Sequence, residues 1–375
     1  MKLVLAPDSF KGSLSSMEVI HILSKVAKEY YRDLEIVKIP VADGGEGTLE
    51  ALLTPVNGRT YEIEVTSPLG SKVKAHYGIY NDNFLMEMAQ ASGLTLVDRD
   101  KKNPLKTTSY GTGELIKRGL DLGYRKIVLG IGGSATNDGG IGALSALGIR
   151  FLDRYGNVVP PNGEGLILIE NMDLEDFDKR IFDTEIIVMC DVNNPLTGDN
   201  GATFVYGRQK GASEEMLHKL EAGMIKYKHL IFNRLGIDLD KVKGAGAAGG
   251  IGGALSAFCR AELKSGIDTL MDFINFDSLV NDADIVITGE GKIDIQSTYG
   301  KVVCGIARRC KANYIPVVAL CGGIDGNINE LYDLGVQSIM PITRSVMDLE
   351  YAINNAAYLL EDAAHRMFKF ININI

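Results

Sequence analysis

Residues 2–41 decide the fold class, and they read KLVLAPDSFKGSLSSMEVIHILSKVAKEYYRDLEIVKIPV. Residues 2–6 form a largely apolar run that stops at a proline, which predicts a buried strand of the parallel type. Residues 35–41 form a second run of this kind. Two such strands, separated by about a helix length of chain, open the sequence.

A helix is predicted between these two strands. Ser15 and Glu18 have the spacing of a capping box, which marks the start of a helix. Apolar side chains then recur at helical spacing, at Val19, Leu23, Val26 and Tyr30. Strand, helix and strand together predict a βαβ unit, with the polar loop 8–13 at the carboxyl end of its first strand.

The middle of the chain has a different pattern. Residues 61–65 and 73–79 alternate apolar and polar side chains on either side of Pro68-Leu69-Gly70, which predicts an antiparallel hairpin. Further strands are predicted at 84–88, 126–129, 185–189 and 203–206.

Near residue 280 the alternation of strand and helix returns. Strands are predicted at 284–288, 315–320 and 337–342, and helices at 301–309 and from about residue 347 onward. We therefore predict an α/β protein of two domains. A discontinuous parallel-sheet domain comprises residues 1–70 and 282–375, and a second α/β domain containing antiparallel strands is inserted at 71–281. We expect the active site in the cleft between them.

Composition fits this organisation and excludes one class of partner. The chain has 375 residues, and a domain has ~100–200, so two domains are expected. There are 39 Lys and Arg against 48 Asp and Glu, which gives a net charge of −9. This balance lacks the basic field of a nucleic-acid-binding protein, so we predict no nucleic-acid partner.

The cysteines and the apolar runs predict a cellular compartment. The five cysteines include no CxxC pair, which favours buried, reduced thiols over a disulfide framework or a zinc site. The N-terminal apolar run is too short for the core of a signal peptide. No apolar run approaches the ~18–20 residues of a membrane span. We expect a cytoplasmic protein that does not bind membranes.

Loop 8–13, DSFKGS, is the first candidate binding segment. Ligands of open parallel sheets bind at the carboxyl ends of the strands, where this loop is predicted to lie. Lys11 can meet a phosphate or carboxylate, and Ser9 and Ser13 can donate hydrogen bonds. An ordinary strand-to-helix loop with a solvated lysine explains these residues equally well.

The segment ADGGEGT, residues 42–48, follows the second predicted strand. Asp43 and Glu46 place two carboxylates among glycines, which suits Mg²⁺ binding or general-base catalysis. A tight turn that caps the next helix is the alternative. We favour the functional interpretation because this loop neighbours loop 8–13 in the predicted sheet.

The segment GIGGSATNDGG, residues 130–140, follows a predicted strand and opens a helix. Backbone amides at such a place form an anion site. Gly130-x-Gly132-x-x-Ala135 also fits a dinucleotide-binding fingerprint. The loop has more hydroxyl, amide and carboxylate side chains than a pyrophosphate turn needs, so we interpret it as a phosphate cradle. Close packing of helix and strand through glycines is the alternative.

Two acids and a second glycine-rich segment complete the candidates. Asp191 and Glu290 each follow an apolar strand into small and polar residues, which indicates metal ligands or bases. Capping or a surface turn is the alternative. The segment GAGAAGGIGG at 244–253 has no charged or hydroxyl side chain, so backbone donation and close packing explain it equally.

Several catalytic patterns are absent from the sequence. It contains no GxxxxGK[ST], HExxH or GxSxG motif, and its five histidines lie outside the glycine-rich segments. Acids, glycines, hydroxyls and lysines remain. This set favours phosphoryl transfer, which depends mainly on positioning, charge neutralisation and a carboxylate beside the attacking hydroxyl.

Eight collinear segments together resemble the bacterial type-1 glycerate kinase family. They are APDSFKGSLSS from Ala6, PVADGGEGTLEAL from Pro40, EMAQASGL from Glu87, NPLKTTSYGTGELI from Asn103, GIGGSATNDGG from Gly130, CDVNNPLTG from Cys190, GAGAAGGIGG from Gly244 and ITGEGKID from Ile287. Two positions depart from the family pattern: Arg208 stands in place of a proline, and Ile295 in place of a small polar residue.

The resemblance implies a fold and a reaction. The fold is a Rossmann-like domain with a second α/β domain. The reaction is ATP- and Mg²⁺-dependent phosphorylation of D-glycerate, with 2-phosphoglycerate favoured as product, in organic-acid or glyoxylate-type carbon metabolism. ATP and D-glycerate are the expected partners. The resemblance also allows a homo-oligomer.

On this basis we assign hypothetical roles. The catalytic set is Lys11, Asp43 and Asp191. Phosphate binding falls to Gly132, Gly133, Ser134, Asn137 and Asp138, together with Lys11. The substrate is assigned to Asp8, Ser9 and Lys11. Arg208 or Lys210 is a further candidate to bind its carboxylate. Asp43, Asp191 and Glu290 are the Mg²⁺ ligands. The phosphorylated hydroxyl, the identity of the base and the oligomeric state stay open.

Two other functions are also considered. An NAD-dependent hydroxy-acid dehydrogenase would use the fingerprint at 130–135, but no catalytic histidine beside a substrate-binding arginine is evident. A non-catalytic sugar-acid sensor on a kinase scaffold is the second, and the intact acids Asp43, Asp191 and Glu290 speak against it.

Overall fold

The computed structural model of the chain describes residues 1–294, residue 297 and residues 301–372, so Ile295 lies outside the described residues. The strands are Lys2–Pro7 (β1), Glu35–Lys38 (β2), Arg59–Thr66 (β3), Lys72–Tyr80 (β4), Asn83–Glu87 (β5), Lys126–Gly130 (β6), Arg150–Leu152 (β7), Asn171–Asp173 (β8), Glu185–Met189 (β9), Glu262–Lys264 (β10), Ile285–Ile293 (β11), Val317–Ile324 (β12) and Val336–Pro341 (β13).

The α-helices are Ser16–Tyr30 (α1), Thr48–Leu53 (α2), Ala89–Ser92 (α3), Tyr110–Asp121 (α4), Ile141–Ala146 (α5), Gly163–Leu168 (α6), Ala202–Tyr206 (α7), Glu214–Leu235 (α8), Ile251–Cys259 (α9), Gly266–Phe273 (α10), Phe276–Val280 (α11), Val302–Ala312 (α12), Asn329–Asp333 (α13), Leu349–Asn354 (α14) and Ala356–Ile371 (α15). No helix in the described ranges is long and apolar enough to cross a membrane.

The first of two structural units consists of residues 1–43, 50–57 and 267–375. Its sheet has the strand order β13-β12-β11-β1-β2, and all neighbouring strands are parallel. The central pair joins the two ends of the sequence, because β1 lies beside β11 with Leu3 opposite Ile285. The N-terminal and C-terminal segments therefore build one parallel sheet.

The core of this unit covers both faces of the sheet. Successive side chains of a strand point to opposite faces. In β12, Val318 and Leu320 pack in one cluster with residues of α1 and α15. Ala319 and Cys321 pack in another with residues of α12 and α13. Helices on both faces explain why these strands are apolar along most of their length.

The helix α1 begins where the sequence predicts. The Ser15 hydroxyl accepts a hydrogen bond from the Glu18 amide at 3.2 Å, and the Glu18 carboxylate accepts one from the Ser15 amide at 2.7 Å. The predicted capping box is confirmed. This fixed start also defines the end of the preceding loop, residues 8–14.

The second unit consists of residues 44–49 and 58–266. Its larger sheet has the order β10-β9-β6-β5-β4-β3. The pairs from β10 to β5 are parallel, whereas β5, β4 and β3 are antiparallel. A second sheet pairs β7 with β8. The predicted α/β class, with a parallel sheet and a sheet that contains antiparallel strands, is confirmed, and so is the hairpin. The predicted domain boundaries at 70/71 and 281/282 stay predictions.

Two sequence predictions about single elements are wrong. Residues 203–206 form the end of α7 and not a strand. The run Thr-Phe-Val-Tyr has high strand propensity, but Ala202 and Thr203 are buried and tertiary packing overrides the propensity. Strand β11 also runs on to Ile293, so Glu290 lies inside the strand and not after it.

The cysteines agree with the prediction of reduced thiols. All five are free, and Cys259, Cys304, Cys310 and Cys321 are buried, whereas Cys190 is half-buried. They fill core positions as small apolar side chains.

Candidate functional site

Loop 8–13 of the first unit is anchored by a buried aromatic side chain and by backbone hydrogen bonds. The Phe10 ring is buried, and the amides of Phe10 and Leu14 bond to the Leu14 and Phe10 carbonyls, respectively. Gly12 turns the chain with φ = 81°, a conformation that favours glycine. Lys11 therefore stands exposed at the tip of an anchored loop, free to meet an anion.

Three carboxylates of the first unit lie close enough for their charges to act on one another. They are Asp8, Asp43 and Glu290. Burial, followed by the charges of Asp43 and Glu290, raises the pKa of Asp8 to about 7, against the Ser9 amide, which donates to Asp8 Oδ1 at 2.6 Å. A carboxylate with this pKa can accept a proton near neutral pH.

Glu290 is the most buried of the three, with 7% of its surface exposed. Burial raises its pKa to about 7, although a hydrogen bond from Ser297 and the charge of Lys301 lower it. Its Oε1 atom finds no hydrogen-bond partner in the part of the chain that the structure describes. A buried carboxylate oxygen in this state is costly unless a ligand or cation completes it.

The glycines on both sides of Glu290 allow close backbone contact with the neighbouring segments. A Cβ on Gly289 would lie 2.3 Å from the Leu320 carbonyl oxygen, and one on Gly291 would lie 3.0 Å from the Lys11 nitrogen. The Asp8 amide also donates to the Gly289 carbonyl at 2.8 Å. Strand β11 thus packs tightly against loop 8–13, with the Glu290 carboxylate between the two glycines.

These acids fit a magnesium ion in part. No group of three or more histidine, cysteine, aspartate or glutamate side chains within the described ranges is arranged to hold a metal alone. Mg²⁺ commonly takes one or two carboxylates and completes its shell with phosphate oxygens and water. The mutual repulsion at Asp8, Asp43 and Glu290, with the unpartnered Glu290 oxygen, matches such an incomplete site.

The glycine-rich loop of the second unit exposes a row of free amides. The N–H groups of Gly133, Ser134, Thr136 and Asn137 find no acceptor among the described residues. Only Ala135 differs, because its amide donates to the Ser92 carbonyl at 2.9 Å. The Thr136 hydroxyl and the Asn137 side-chain oxygen are also buried, and neither has a hydrogen-bond partner within the described ranges. Ser134, Thr136 and Asn137 are buried, and buried amides are almost always paired, so these groups indicate a bound anion or ordered water.

Neighbouring glycines hold this loop by backbone contact. The Gly132 amide donates to the Gly44 carbonyl at 2.8 Å, and a Cβ on Gly132 would lie 2.5 Å from the Gly45 Cα. A Cβ on Gly249 would lie 2.0 Å from the Thr136 carbonyl oxygen. The segment 244–253, left open by its sequence, therefore packs closely against the loop.

Asn137 and Asp138 are fully buried. Asn137 donates to the Thr203 hydroxyl at 3.1 Å. The Asp138 carboxylate accepts from the Ser109 amide and hydroxyl and from the Gly140 and Gly142 amides. Burial raises the pKa of Asp138 in spite of these bonds. The carboxylate joins the starts of α4 and α5, so it shapes the loop from within.

Lys210 and Arg208 lie close together in the sequence but differ in burial and in their contacts. Arg208 is exposed and forms an ion pair with Glu214 at 2.9 Å. Lys210 is buried, and its ammonium donates to the Ser134 hydroxyl at 2.8 Å and to the Thr136 carbonyl at 2.6 Å. Lys210 thus belongs to the glycine-rich loop, whereas Arg208 belongs to the surface.

The remaining predicted residues divide between the units. The structure brings Asp8, Asp43 and Glu290 together in the first unit, with Ser9 and Lys11 on the adjacent loop. Asp191 belongs to the second unit, where its Oδ1 accepts from the Gly266 amide at 2.8 Å at the start of α10. The individual roles of all these residues stay predictions.

Two supporting residues, Ser109 and Glu87, were not predicted from the sequence. Ser109 anchors Asp138, and its only signal was its place in a segment rich in hydroxyls before α4. Glu87 ends β5 with a buried carboxylate that accepts from the Leu49 amide, and this fixes the start of α2. A lone acid at the end of an apolar strand was the available signal.

The chain matches known proteins over nearly its whole length. The model of the Glycerate kinase family matches residues 3–372. The chain is 44% identical over 366 residues to "Glycerate kinase" of Bacillus cereus (strain ATCC 10987 / NRS 248), which covers 97% of this chain and 96% of that protein. It is 45% identical over 358 residues to "Glycerate 2-kinase" of Escherichia coli (strain K12), with 95% and 94% covered.

A solved structure agrees with these relatives. The crystal structure of a candidate glycerate kinase 2 from Salmonella typhimurium LT2 has a TM-score of 0.85 and 43% identity, and covers 99% of this chain and 98% of its own. None of these matches favours a dehydrogenase or a sensor.

Proposed function

Since this chain belongs to the glycerate kinase family and is a phosphotransferase with an alcohol group as acceptor, we propose that it transfers the γ-phosphoryl group of ATP to D-glycerate. We further propose 2-phosphoglycerate as the product, a choice supported by the name of the Escherichia coli relative. Organic-acid or glyoxylate-type carbon metabolism is the proposed setting.

The proposal of ATP binding rests on one observation, the amides of the glycine-rich loop that lack acceptors among the described residues. Four N–H groups between Gly133 and Asn137 lack acceptors among the described residues, and a lysine stands behind them. Phosphate oxygens supply the acceptors that such a row requires. We assign the ATP phosphates to the amides of Gly133 and Ser134. The Gly132 amide is already bonded to the Gly44 carbonyl, so we give Gly132, Asn137 and Asp138 the task of shaping the loop.

The reaction needs a base for the acceptor hydroxyl. The glycerate oxygen attacks the γ-phosphorus, the bond from that phosphorus to the bridging oxygen breaks, and ADP leaves. The hydroxyl proton passes to a carboxylate, for which Asp8, Asp43 and Asp191 are the candidates. The raised pKa of Asp8 supports it in this role. Ser9 and Lys11 are assigned to the glycerate carboxylate.

Asp43 and Glu290, with Asp191 as a further candidate, are the proposed Mg²⁺ ligands. When bound, the ion would neutralise phosphate charge during transfer. The carboxylates of the first unit repel one another, and Glu290 Oε1 has no hydrogen-bond partner among the residues that the structure describes. The repulsion supports a cation at this place.

ADP release tests the proposal. The purified protein is mixed with Mg·ATP and D-glycerate, and ADP is followed with a coupled enzyme. We expect turnover that requires D-glycerate, and a loss of orders of magnitude in Lys11→Ala and in Asp191→Asn. Lys28→Ala, which removes an exposed lysine of α1, is the control and should retain activity.

Three outcomes would count against the proposal or its assignments. Absence of ADP release with D-glycerate contradicts the reaction. A rise in melting temperature with NADH but not with Mg·ATP points to a dehydrogenase. Near-wild-type turnover in both variants contradicts the assigned roles of Lys11 and Asp191.

A further inference from the structure

Lys210 lies too deep to meet a substrate at the protein surface. Its side chain is 2% exposed, and it enters the interior of the second unit from the turn that ends at Gly211. Gly211 has φ = 94°, and a Cβ on it would lie 2.3 Å from the Lys102 carbonyl oxygen. The turn is therefore pressed against backbone. An ammonium buried in this way is costly, so its contacts must compensate.

The contacts of Lys210 bracket one short piece of the glycine-rich loop. Its Nζ atom donates to the Ser134 hydroxyl at 2.8 Å and to the Thr136 carbonyl at 2.6 Å. The residue between them, Ala135, is fixed on its other side by its amide, which bonds to Ser92, and by its carbonyl, which accepts from the Thr107 hydroxyl. The ammonium thus completes the support of residues 134–136.

The charge of Lys210 is only partly balanced. Burial lowers its pKa to about 7, and the negative charge of Asp138 raises it. The hydrogen bonds of its ammonium within the described part of the chain go to a hydroxyl and a carbonyl, which are both uncharged. An anion at the free amides of Ser134 and Thr136 would bring a second negative charge toward the ammonium.

We propose that Lys210 is a positioning residue for nucleotide binding: its ammonium holds Ser134 and the Thr136 carbonyl so that the free amides beside them point at the phosphates. It also places a positive charge behind the loop. The inference rests on the proposed function, because it takes the bound anion to be the phosphate chain of ATP. Lys210 acts through the loop and makes no contact with the nucleotide.

Steady-state kinetics of Lys210→Met test this role. We expect kcat/KM for Mg·ATP to fall roughly tenfold to a hundredfold, because a small displacement of a positioning group costs this much. The KM for D-glycerate at saturating ATP should change little. The melting temperature should fall, because the variant leaves the Thr136 carbonyl without its donor and removes a positive charge that interacts with Asp138. A merely structural role predicts the same fall with the KM for ATP unchanged.

Matched variants separate the alternatives. Lys219→Met removes an exposed lysine of α8 that pairs with Glu215, and it should leave all constants unchanged. Ser134→Ala should weaken ATP use in the same direction as Lys210→Met. Combining the two should add little, because both break one contact. If Lys210→Met does not fold, Lys210→Arg and Ser134→Ala replace it, and both are expected to raise the KM for ATP.

Two results would overturn the inference. The first is a folded Lys210→Met, or its substitutes, with kcat/KM for Mg·ATP near the wild-type value. The second is fully multiplicative losses in the double variant, which would mean that Lys210 acts independently of Ser134. A wild-type protein that releases no ADP with D-glycerate contradicts the proposed function instead, so the two failures are distinguishable.

Discussion

At the scale of single residues, the first unit concentrates negative charge where burial makes it expensive. Glu290 lies between Gly289 and Gly291 in the central strand of a parallel sheet. After burial, the charges of Asp294 and Asp43 raise its pKa, and its own charge raises the pKa of Asp8. A group that lowers stability and is nevertheless present is typical of a functional site.

Glu290→Gln tests this cost through its pH dependence. The pKa of Glu290 is about 7 in the folded protein against 4.5 for an ordinary glutamate. The folded state therefore binds the extra proton between these values, so the wild type loses stability as pH rises through that window. The variant lacks this loss. It should match the wild type near the lower pH and exceed it by about 3 kcal/mol above the upper one.

Thermal unfolding in EDTA at several pH values measures the difference. Glu50→Gln, at an exposed position of α2, is the control and should follow the wild type. Added Mg²⁺ should raise the melting temperature of the wild type more than that of Glu290→Gln. If the difference in melting temperature between Glu290→Gln and the wild type stays constant across the pH range, the pKa of Glu290 is not raised in the folded protein.

The acidic residues could be grouped from the sequence, whereas Lys210 was predicted only at the substrate carboxylate and not beside the glycine-rich loop. Asp8, Asp43 and Glu290 follow or lie within apolar strand patterns, so their shared edge of one sheet could be predicted. Lys210 contacts Ser134, which lies 76 residues away in the sequence. No local pattern encodes such a contact, because it depends on how α7 and the following turn pack.

At the scale of elements, glycines allow close backbone contact at two places around the glycine-rich loop of the second unit. Gly44 and Gly45 lie against Gly132, and Gly249 lies against Thr136. These contacts fix the backbone without occupying the space around the free amides. The backbone of the loop is thus fixed while its free amides stay accessible, as an anion site requires.

Gly132→Ala should disturb both loops. Its Cβ would lie 2.5 Å from the Gly45 Cα, so one backbone must move. We expect a stability loss of about 1–3 kcal/mol from overpacking and a strong fall in kcat/KM for Mg·ATP. Denaturant unfolding and ADP release measure the two effects.

Gly156→Ala is the matched control. Gly156 has φ = 82° in an open turn with no neighbour within 4 Å, so alanine brings backbone strain without a clash. It should lower stability by about 1 kcal/mol and leave the kinetic constants unchanged. Equal kinetic losses in both variants would mean that general destabilisation explains the effect of Gly132→Ala.

Element types followed from the sequence wherever periodicity and packing agree. The capping box, the hairpin and the parallel strands are of this kind. The run at 203–206 is the exception, because its β-branched and aromatic residues indicate a strand while burial of Ala202 and Thr203 selects a helix. Strand propensity does not decide the structure of a short segment that has a buried face and no neighbouring strand.

At the scale of the whole molecule, the first unit depends on both ends of the chain. Strand β1 pairs with β11, and α1 shares a core with α15. The alternation of strand and helix at both ends predicts such a discontinuous sheet, but the strand order does not follow from it. Residues 44–49 belong to the second unit for a reason that patterns do not contain, the backbone contacts of Gly44 and Gly45.

A chain that ends at residue 266 tests this dependence. It keeps the residues of the second unit and loses β11, β12, β13 and α15. Residues 2–43 should then exchange their amide hydrogens rapidly, because β1 lacks its neighbour and α1 lacks its packing partner. Residues 84–89 and 126–130 should stay protected, as in the full chain. Protection of 2–43 in the shortened chain would contradict the described division.

Phosphorus NMR of the reaction product tests the central claim most directly. The protein is incubated with Mg·ATP and D-glycerate, and the new phosphate ester is compared with authentic 2-phosphoglycerate and 3-phosphoglycerate. We predict that ADP and 2-phosphoglycerate accumulate in equal amounts. A 3-phosphoglycerate signal would contradict the proposed position of transfer, and the absence of any phosphoglycerate would contradict the proposed reaction.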